Sequence, residues 1–125
     1  MTDQPQILTV HHAQLSVPVG EEQKARDFYC GVLGLNQIPK PDPLAGRGGF
    51  WLGLGSFQVH IGTEEFAGRA ETKSHIAYEV AGIDGWKEKL EQAGITVTTG
   101  IQIPHYRRFE FRDPFGNRVE FLERT

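Results

Sequence analysis

The stretch KSHIAYEVAGIDGWKEKLEQAG, residues 73–94, contains a strand pattern followed at once by a helix pattern. In its first part, apolar and polar side chains alternate, as in a strand with one buried face. In its second part, apolar residues recur every three to four positions, at Ile83, Trp86, Leu90 and Ala93, before a glycine stop. Residues 11–34, which begin HHAQLSV, show the same order of patterns. The chain is therefore predicted to contain one structural unit twice.

Three further strands are predicted after each helix, and the unit repeats with a period of about 60 residues although the halves share few identical residues. This pattern predicts an α+β fold of two βαβββ modules, at about 7–62 and 72–124, within a single domain spanning 1–125. Each module is expected to be a curved mixed sheet with its helix on the convex face. The two modules together would form a half-barrel whose polar concave faces close on a shared cleft.

The composition limits the classes of function. The chain has 125 residues, a formal net charge of −3 and one cysteine, Cys30. The charge is too mild to indicate nucleic acid as a partner, and no apolar run approaches the ~20 residues of a membrane helix. Cys30 lies in a helical pattern and is interpreted as a buried filler. A single cysteine is typical of a protein of the reducing cytoplasm.

Four potential metal ligands occupy equivalent positions in the two halves. His12 and His75 lie in the first strand of each half, 63 residues apart, and His60 and Glu120 lie in the last strand of each half, 60 residues apart. All four alternate with the apolar residues expected to face the helices, so all four should face the cleft. Imidazoles with a carboxylate suit a divalent metal such as Zn, Ni, Mn, Fe or Co. His11 has the opposite parity and should face away.

Other residues of the polar face suggest substrate contacts. Arg108 shares the parity of Glu110 and is placed either to grip a carboxylate or phosphonate or to form an ion pair with Glu110. Tyr106, on the same face, could add a hydrogen bond. Arg47 lies in the proline- and glycine-rich stretch PKPDPLAGRGG and is either a lid contact or an ordinary loop residue. His105 follows Pro104 in a loop and is expected to face solvent.

Several stretches carry a family resemblance. The sequences HHAQLSVP, ARDFYCGVLGLNQIPK, FQVHIGTEE, SHIAYEV, LEQAGITV and YRRFEFRDPFGNRVEFLE resemble the vicinal oxygen chelate superfamily over nearly the whole chain. That superfamily contains glyoxalase I, fosfomycin-resistance enzymes, extradiol dioxygenases and bleomycin-resistance proteins. The resemblance implies metal ligands on the first and last strands of each module, at His12, His60, His75 and Glu120. Bacterial glyoxalase I uses two histidines and two glutamates, and His60 stands where one glutamate would be.

The resemblance also implies a class of chemistry. The expected protein is a glyoxalase-like lyase or isomerase that chelates its substrate through two adjacent oxygens, with Glu120 as ligand and general base. Alternatives are an extradiol-type dioxygenase, a fosfomycin-type transferase, or a protein that only binds a small molecule. The resemblance further implies a homodimer in which His12 and His60 of one chain meet His75 and Glu120 of the other.

Overall fold

The computed structural model describes residues 4–125 and contains two four-stranded sheets and two helical regions. The first sheet has the strand order β1-β4-β3-β2 and the second has the order β5-β8-β7-β6, so the two modules share one topology. In each sheet the first and last strands of the module are parallel neighbours, and the remaining pairs are antiparallel. The strands are β1 His12–Val17, β2 Asn36–Ile38, β3 Phe50–Leu54, β4 Phe57–Thr63, β5 His75–Glu79, β6 Val97–Thr98, β7 Tyr106–Arg112 and β8 Arg118–Arg124.

The predicted α+β class with two βαβββ modules is confirmed. The expected half-barrel is built from two open sheets that share no hydrogen-bonded strand pair. The first strand, expected from residue 7, begins only at His12; residues 7–11 adopt no regular structure, and Ile7 and Leu8 are 96% and 85% exposed. No helix within residues 4–125 has the length and apolar character needed to cross a bilayer.

The first helical region begins as helix α1, Glu22–Arg26, and continues as a π-helical segment over Asp27–Val32. Its wider turn, in which the Leu33 N–H bonds to the Phe28 carbonyl, lets the adjacent rings of Phe28 and Tyr29 both be buried. The region ends before Gly34, whose φ of +76° confirms the predicted glycine stop. Helix α2 spans Ile83–Gln92. A 3₁₀ turn over Asp42–Arg47 lies inside the predicted PKPDPLAGRGG loop.

The first helical region contacts both sheets. Arg26 lies over the ring of Phe50 in β3, at 4.7 Å from its centroid, while Phe28 meets Phe111 of β7 edge to face at 6.2 Å. The apolar rows of both sheets belong to one continuous core around these helical residues. Since side chains alternate across a strand, the polar rows of the two sheets must face away from that shared core.

Tyr78 is a buried core residue whose hydroxyl has no hydrogen-bond partner within the described residues. Burial, followed by the nearby charge of Asp113, raises the pKa of Tyr78 to about 12. We expect Tyr78→Phe to increase the free energy of unfolding by about 1 kcal/mol at neutral pH, because it removes an unsatisfied polar atom. The gain should widen above pH 10, where an unfolded tyrosine ionises but the folded one does not. Urea unfolding of the wild type and the variant at pH 7.5 and 10.5 measures the gain in stability and its increase with pH. A variant less stable than the wild type would contradict the prediction.

Candidate functional site

The polar face of the first sheet carries a stack of three rings. The antiparallel register of β3 and β4 places Trp51 opposite His60, and their rings stack with centroids 3.8 Å apart and an interplanar angle of 4°. His12 of β1 stacks on the other side of His60 at 3.9 Å and 17°. His60 is only 4% exposed between its neighbours. From the sequence alone Trp51 is expected to shape the pocket but has no assigned position; the hairpin turn at Gly55 and Ser56 sets the register that places it against His60.

His60 is neutral at physiological pH in this arrangement. Burial, and then the neighbouring titratable groups of His12, His11 and Lys40, lower the pKa of His60 to about 4. The Nε2 atom of His60 lies 2.9 Å from Oε1 of Gln58, so the neutral ring donates its proton there. His60 is therefore anchored by stacking on both faces and by a hydrogen bond at its edge.

The prediction that His11 faces away from the site was wrong. The Nδ1 atom of His11 lies 2.9 Å from Nδ1 of His12, and both residues line one pocket of about 460 Å³ with Trp51 and His60. The physical reason is that β1 begins at His12. Strand alternation does not apply to a residue that precedes the strand, so His11 is free to turn back over its neighbour.

His75 and Glu120 form a pair on the polar face of the second sheet. The His75 Nδ1 atom lies 2.9 Å from the carbonyl oxygen of Lys73, which fixes Nδ1 as the donor nitrogen. The Nε2 atom of His75 lies 3.2 Å from Oε1 of Glu120, within ion-pair distance. Glu120 is 7% exposed, so its carboxylate lies largely out of solvent.

Arg108 contacts protein groups rather than open space. Its Nε donates to Oε2 of Glu120 at 2.9 Å, its Nη2 donates to Oε1 of Glu110 at 2.8 Å, and its Nη1 donates to the Ile101 carbonyl at 2.6 Å. The hydrogen bond to Glu120 is the main cause that raises the pKa of Arg108. Two roles were considered for Arg108, a substrate contact and an ion pair with Glu110. The structure shows the ion pair with Glu110 and a second one with Glu120.

Glu110 connects Arg108 to a second arginine. Arg118 donates to both carboxylate oxygens of Glu110, at 2.6 and 2.9 Å, and this hydrogen bonding is the main cause that lowers the pKa of Glu110. Two glutamates and two arginines thus form a continuous charged network beside His75. Because both guanidiniums already hold carboxylates, this network fixes the orientation of Glu120.

Tyr106 and His105 lie at the far end of β7. Tyr106 pairs with Arg124, whose guanidinium lies 5.2 Å from the centre of its ring. Glu110, the cross-strand neighbour of Glu120, lies four positions after Tyr106, which corresponds to about 13 Å along a strand. His105 is exposed and has a φ of +70° in the turn before β7. The structure therefore does not bring either residue to the His75–Glu120 pair.

The four predicted ligands fall into two separate pairs within one chain. His12 and His60 lie on the first sheet and His75 and Glu120 on the second, and both polar faces turn away from the shared core. Within residues 4–125, no three histidine, cysteine, aspartate or glutamate side chains cluster closely enough to hold a metal.

Comparison with known proteins places this architecture in a family. The family model of the Glyoxalase/Bleomycin resistance protein/Dioxygenase superfamily matches residues 9–121. A solved structure from Bacillus anthracis, described as a glyoxalase family protein, is 40% identical, with a TM-score of 0.87 over 98% of this chain and 99% of that chain. No curated protein sequence matches the chain.

Two more distant structures share the fold. The fosfomycin resistance protein FosX from Listeria monocytogenes, complexed with Mn(II) and sulfate, is 16% identical, with a TM-score of 0.76 over 96% of this chain and 93% of that chain. The antibiotic binding protein TnmS3 from Streptomyces sp. CB03234 is 20% identical, with a TM-score of 0.72 over 98% of this chain and 100% of that chain. From the family match and the 40% identical structure together, the chain belongs to the Glyoxalase/Bleomycin resistance protein/Dioxygenase superfamily.

Proposed function

We propose that this protein is a metal-dependent enzyme acting on a small molecule that it chelates through two adjacent oxygens, in a glyoxalase-like lyase or isomerase reaction. The proposed ligands are His12, His75 and Glu120. The observation that carries the proposal is the contact between His75 and Glu120. With Nδ1 bound to the Lys73 carbonyl, a neutral His75 ring would present the lone pair of Nε2 at 3.2 Å from Oε1 of Glu120. A cation between them would relieve their repulsion, and 3.2 Å suits two atoms that each lie about 2.1 Å from one ion.

His12 is the proposed third ligand, whereas His60 is a wall of the site. The contact between His11 and His12 engages Nδ1 of His12 and leaves its Nε2 available. An ion binds in the plane of an imidazole at about 2.0–2.1 Å. Because the rings of His12 and His60 are nearly parallel with centroids 3.9 Å apart, one ion cannot lie in both planes. Two histidines and one carboxylate are a donor set that several divalent metals accept.

The site is proposed to form between two copies of the chain. Within residues 4–125 the two half-sites do not come together around one point of a single chain. Exposed apolar side chains flank each half: Ile7, Leu8 and Val10 precede His12, and Ile101 and Ile103 precede β7. The Ile101 carbonyl accepts from Arg108, which in turn holds Glu120. A homodimer would bury these apolar residues beside the sites that it completes.

The proposed chemistry divides between the metal and the protein. A divalent ion would supply Lewis acidity to the chelated oxygens. Glu120 is the proposed general base if its Oε1 shifts off the ion, because the carboxylate is largely buried and Oε1 faces the site. Arg108 holds Oε2 at 2.9 Å and keeps the basic oxygen directed toward substrate. Arg108 is therefore a positioning residue, and Tyr106 is left without a proposed role in the reaction.

The reaction class can be resolved by substrate. Extradiol dioxygenases and fosfomycin-type transferases remain alternatives, since both use two histidines and one glutamate. Metal-loaded protein should be assayed with a hemithioacetal, a catechol under oxygen, and fosfomycin with a thiol or water as the nucleophile. We expect the hemithioacetal to be converted, and conversion of only one of the others would reassign the class.

A second candidate is a small-molecule binding protein without catalysis. It is favoured by the separation of the four predicted ligands within one chain, and TnmS3, which shares the fold, is an antibiotic binding protein. In this alternative the stack of Trp51, His60 and His12 would form one wall of a binding cleft. Metal binding separates the two candidates.

Metal uptake is the direct test of the proposed function. We expect tag-free protein stripped with a chelator to bind about one Zn, Ni, Mn, Fe or Co ion per chain, measured by elemental analysis and calorimetry. Removal of the ion should abolish activity, and addition should restore it. Protein that takes up less than a tenth of an equivalent of every metal tested would support the non-catalytic alternative.

Mixing two inactive variants tests the shared site. His12→Ala and Glu120→Ala homodimers should each lack competent metal sites, because each loses a ligand from every site. When the two are unfolded and refolded together, half of the dimers should be mixed and should contain one complete site. About a quarter of the sites should then bind metal. Unchanged, near-zero binding in a mixture shown by mass spectrometry to contain mixed dimers would contradict the arrangement.

A further inference from the structure

We propose that the pocket beside His12 binds the anionic end of the substrate, a compact carboxylate, phosphate or phosphonate, through Lys40 and Arg47. This inference rests on the proposed function, since it names the class of molecule that the site would accept. Such a molecule would carry its negative group on a short scaffold that also bears the two adjacent oxygens.

The lining of the pocket is cationic and aromatic. It encloses about 460 Å³, and the side chains that define it include Lys40, Arg47, His11, His12, Trp51 and His60. No aspartate or glutamate belongs to this lining. A ligand with a flat apolar body and a negative end would complement both features.

The two cations lack the carboxylate partners that other arginines of this protein have. The Nζ atom of Lys40 donates to the Gly48 carbonyl at 2.7 Å, and neither Lys40 nor Arg47 forms an ion pair with any residue of 4–125. Arg47 has no hydrogen bond to that part of the chain either. Arg108 and Arg118, by contrast, are both held by Glu110. Lys40 and Arg47, which lie beside the first sheet, are therefore available to a ligand anion.

The segment that carries Arg47 is fixed against the sheet. Gly48 and Gly49 both have positive φ, and a Cβ at Gly49 would lie 2.0 Å from the Ile61 carbonyl oxygen. Only glycine can occupy this position, so the backbone stays in contact with β4. Lys40 holds the same turn from the other side through Gly48. Arg47 is thus presented at the rim of the pocket by an anchored turn.

A matched pair of ligands tests the inference. Catechol and 3,4-dihydroxybenzoate carry the same adjacent oxygens and differ by one carboxylate. With zinc-loaded protein we expect 3,4-dihydroxybenzoate to bind about tenfold more tightly, measured by calorimetry and by quenching of tryptophan fluorescence. In Arg47→Gln the preference should fall to about twofold, and the Lys40→Gln/Arg47→Gln double variant should lose it. Lys87→Gln, which removes an exposed cation of α2, should keep the full preference.

A second arm separates this inference from the proposed function. In metal-free protein, benzoate should bind more tightly than benzyl alcohol, Arg47→Gln should reduce that difference, and the Lys40→Gln/Arg47→Gln double variant should remove it. Zinc uptake without any preference for the anionic ligands would overturn the inference and leave the metal site standing. A benzoate preference that depends on Arg47, in protein that takes up no metal, would keep the anion pocket and overturn the enzyme. Failure of both benzoates to bind at millimolar concentration would also overturn the inference.

Discussion

Glu120→Gln is expected to weaken the binding of a divalent metal by more than about 100-fold, because loss of an outer partner alone costs about 10- to 100-fold and Glu120 is the proposed ligand. The amide keeps the size of the side chain but loses the charge that neutralises the ion. It also ends the charge-assisted bond from Arg108 Nε, which measures 2.9 Å. Competition of each protein with a metal-sensitive dye gives the two dissociation constants.

Glu110→Gln is the matched control for this variant. Glu110 is the cross-strand neighbour of Glu120, contacts the same Arg108 and carries the same charge. It faces Arg118 rather than His75, so its loss should weaken metal binding by no more than about tenfold. If both variants lose affinity equally, the effect would come from the net charge of the face, and Glu120 would not be a ligand. Circular dichroism and unfolding of both variants exclude a folding defect.

Asp113→Ala is expected to lower the free energy of unfolding by about 3–5 kcal/mol, because several buried donors would lose their acceptor, at about 1–3 kcal/mol for each one left unsatisfied. Asp113 is 4% exposed and accepts hydrogen bonds from the Tyr29 hydroxyl, the backbone N–H groups of Phe115 and Asn117, and the Asn117 side chain. The same Asn117 amide donates to the Ser16 carbonyl of β1. Removing the carboxylate therefore loosens the joint between the two modules. Urea unfolding measures the loss.

Two further variants show whether the cost comes from this network. Tyr29→Phe removes one of the bonds to Asp113 and should cost about 1.5 kcal/mol. Because Asp113 is the shared partner, the cost of Tyr29→Phe should largely vanish in the Asp113→Ala background. Asp84→Ala, which removes an exposed partner of Arg107, should leave stability nearly unchanged. A similar effect of Asp84→Ala and Asp113→Ala would contradict the importance assigned to the buried network.

The sequence predicted the architecture because each module contains the information for its own strands and helix. The alternation in KSHIAYEV and the three- to four-residue spacing that follows it correspond to β5 and α2. The glycines expected to end the helices, Gly34 and Gly94, have φ of +76° and +82°. Periodicity determines which face of an element is buried, and that is a local property of the chain. The same parity placed His75 and Glu120 on one polar face, where the structure pairs them at 3.2 Å.

The contacts of individual polar side chains depended on the tertiary structure. His11 lies just outside β1, where alternation carries no information, and only the folded chain shows it turned onto His12. Arg108 has the parity of a cleft residue, yet Glu110 and Glu120 occupy its donors. A periodic pattern also could not predict how the two sheets pack against each other, because the first helical region lies between them and contacts the second through Phe28 and Tyr29. By itself the sequence determined which faces are polar, since that requires only the spacing along one element. Which polar groups meet depends on the packing of distant elements, and only the tertiary structure decided it.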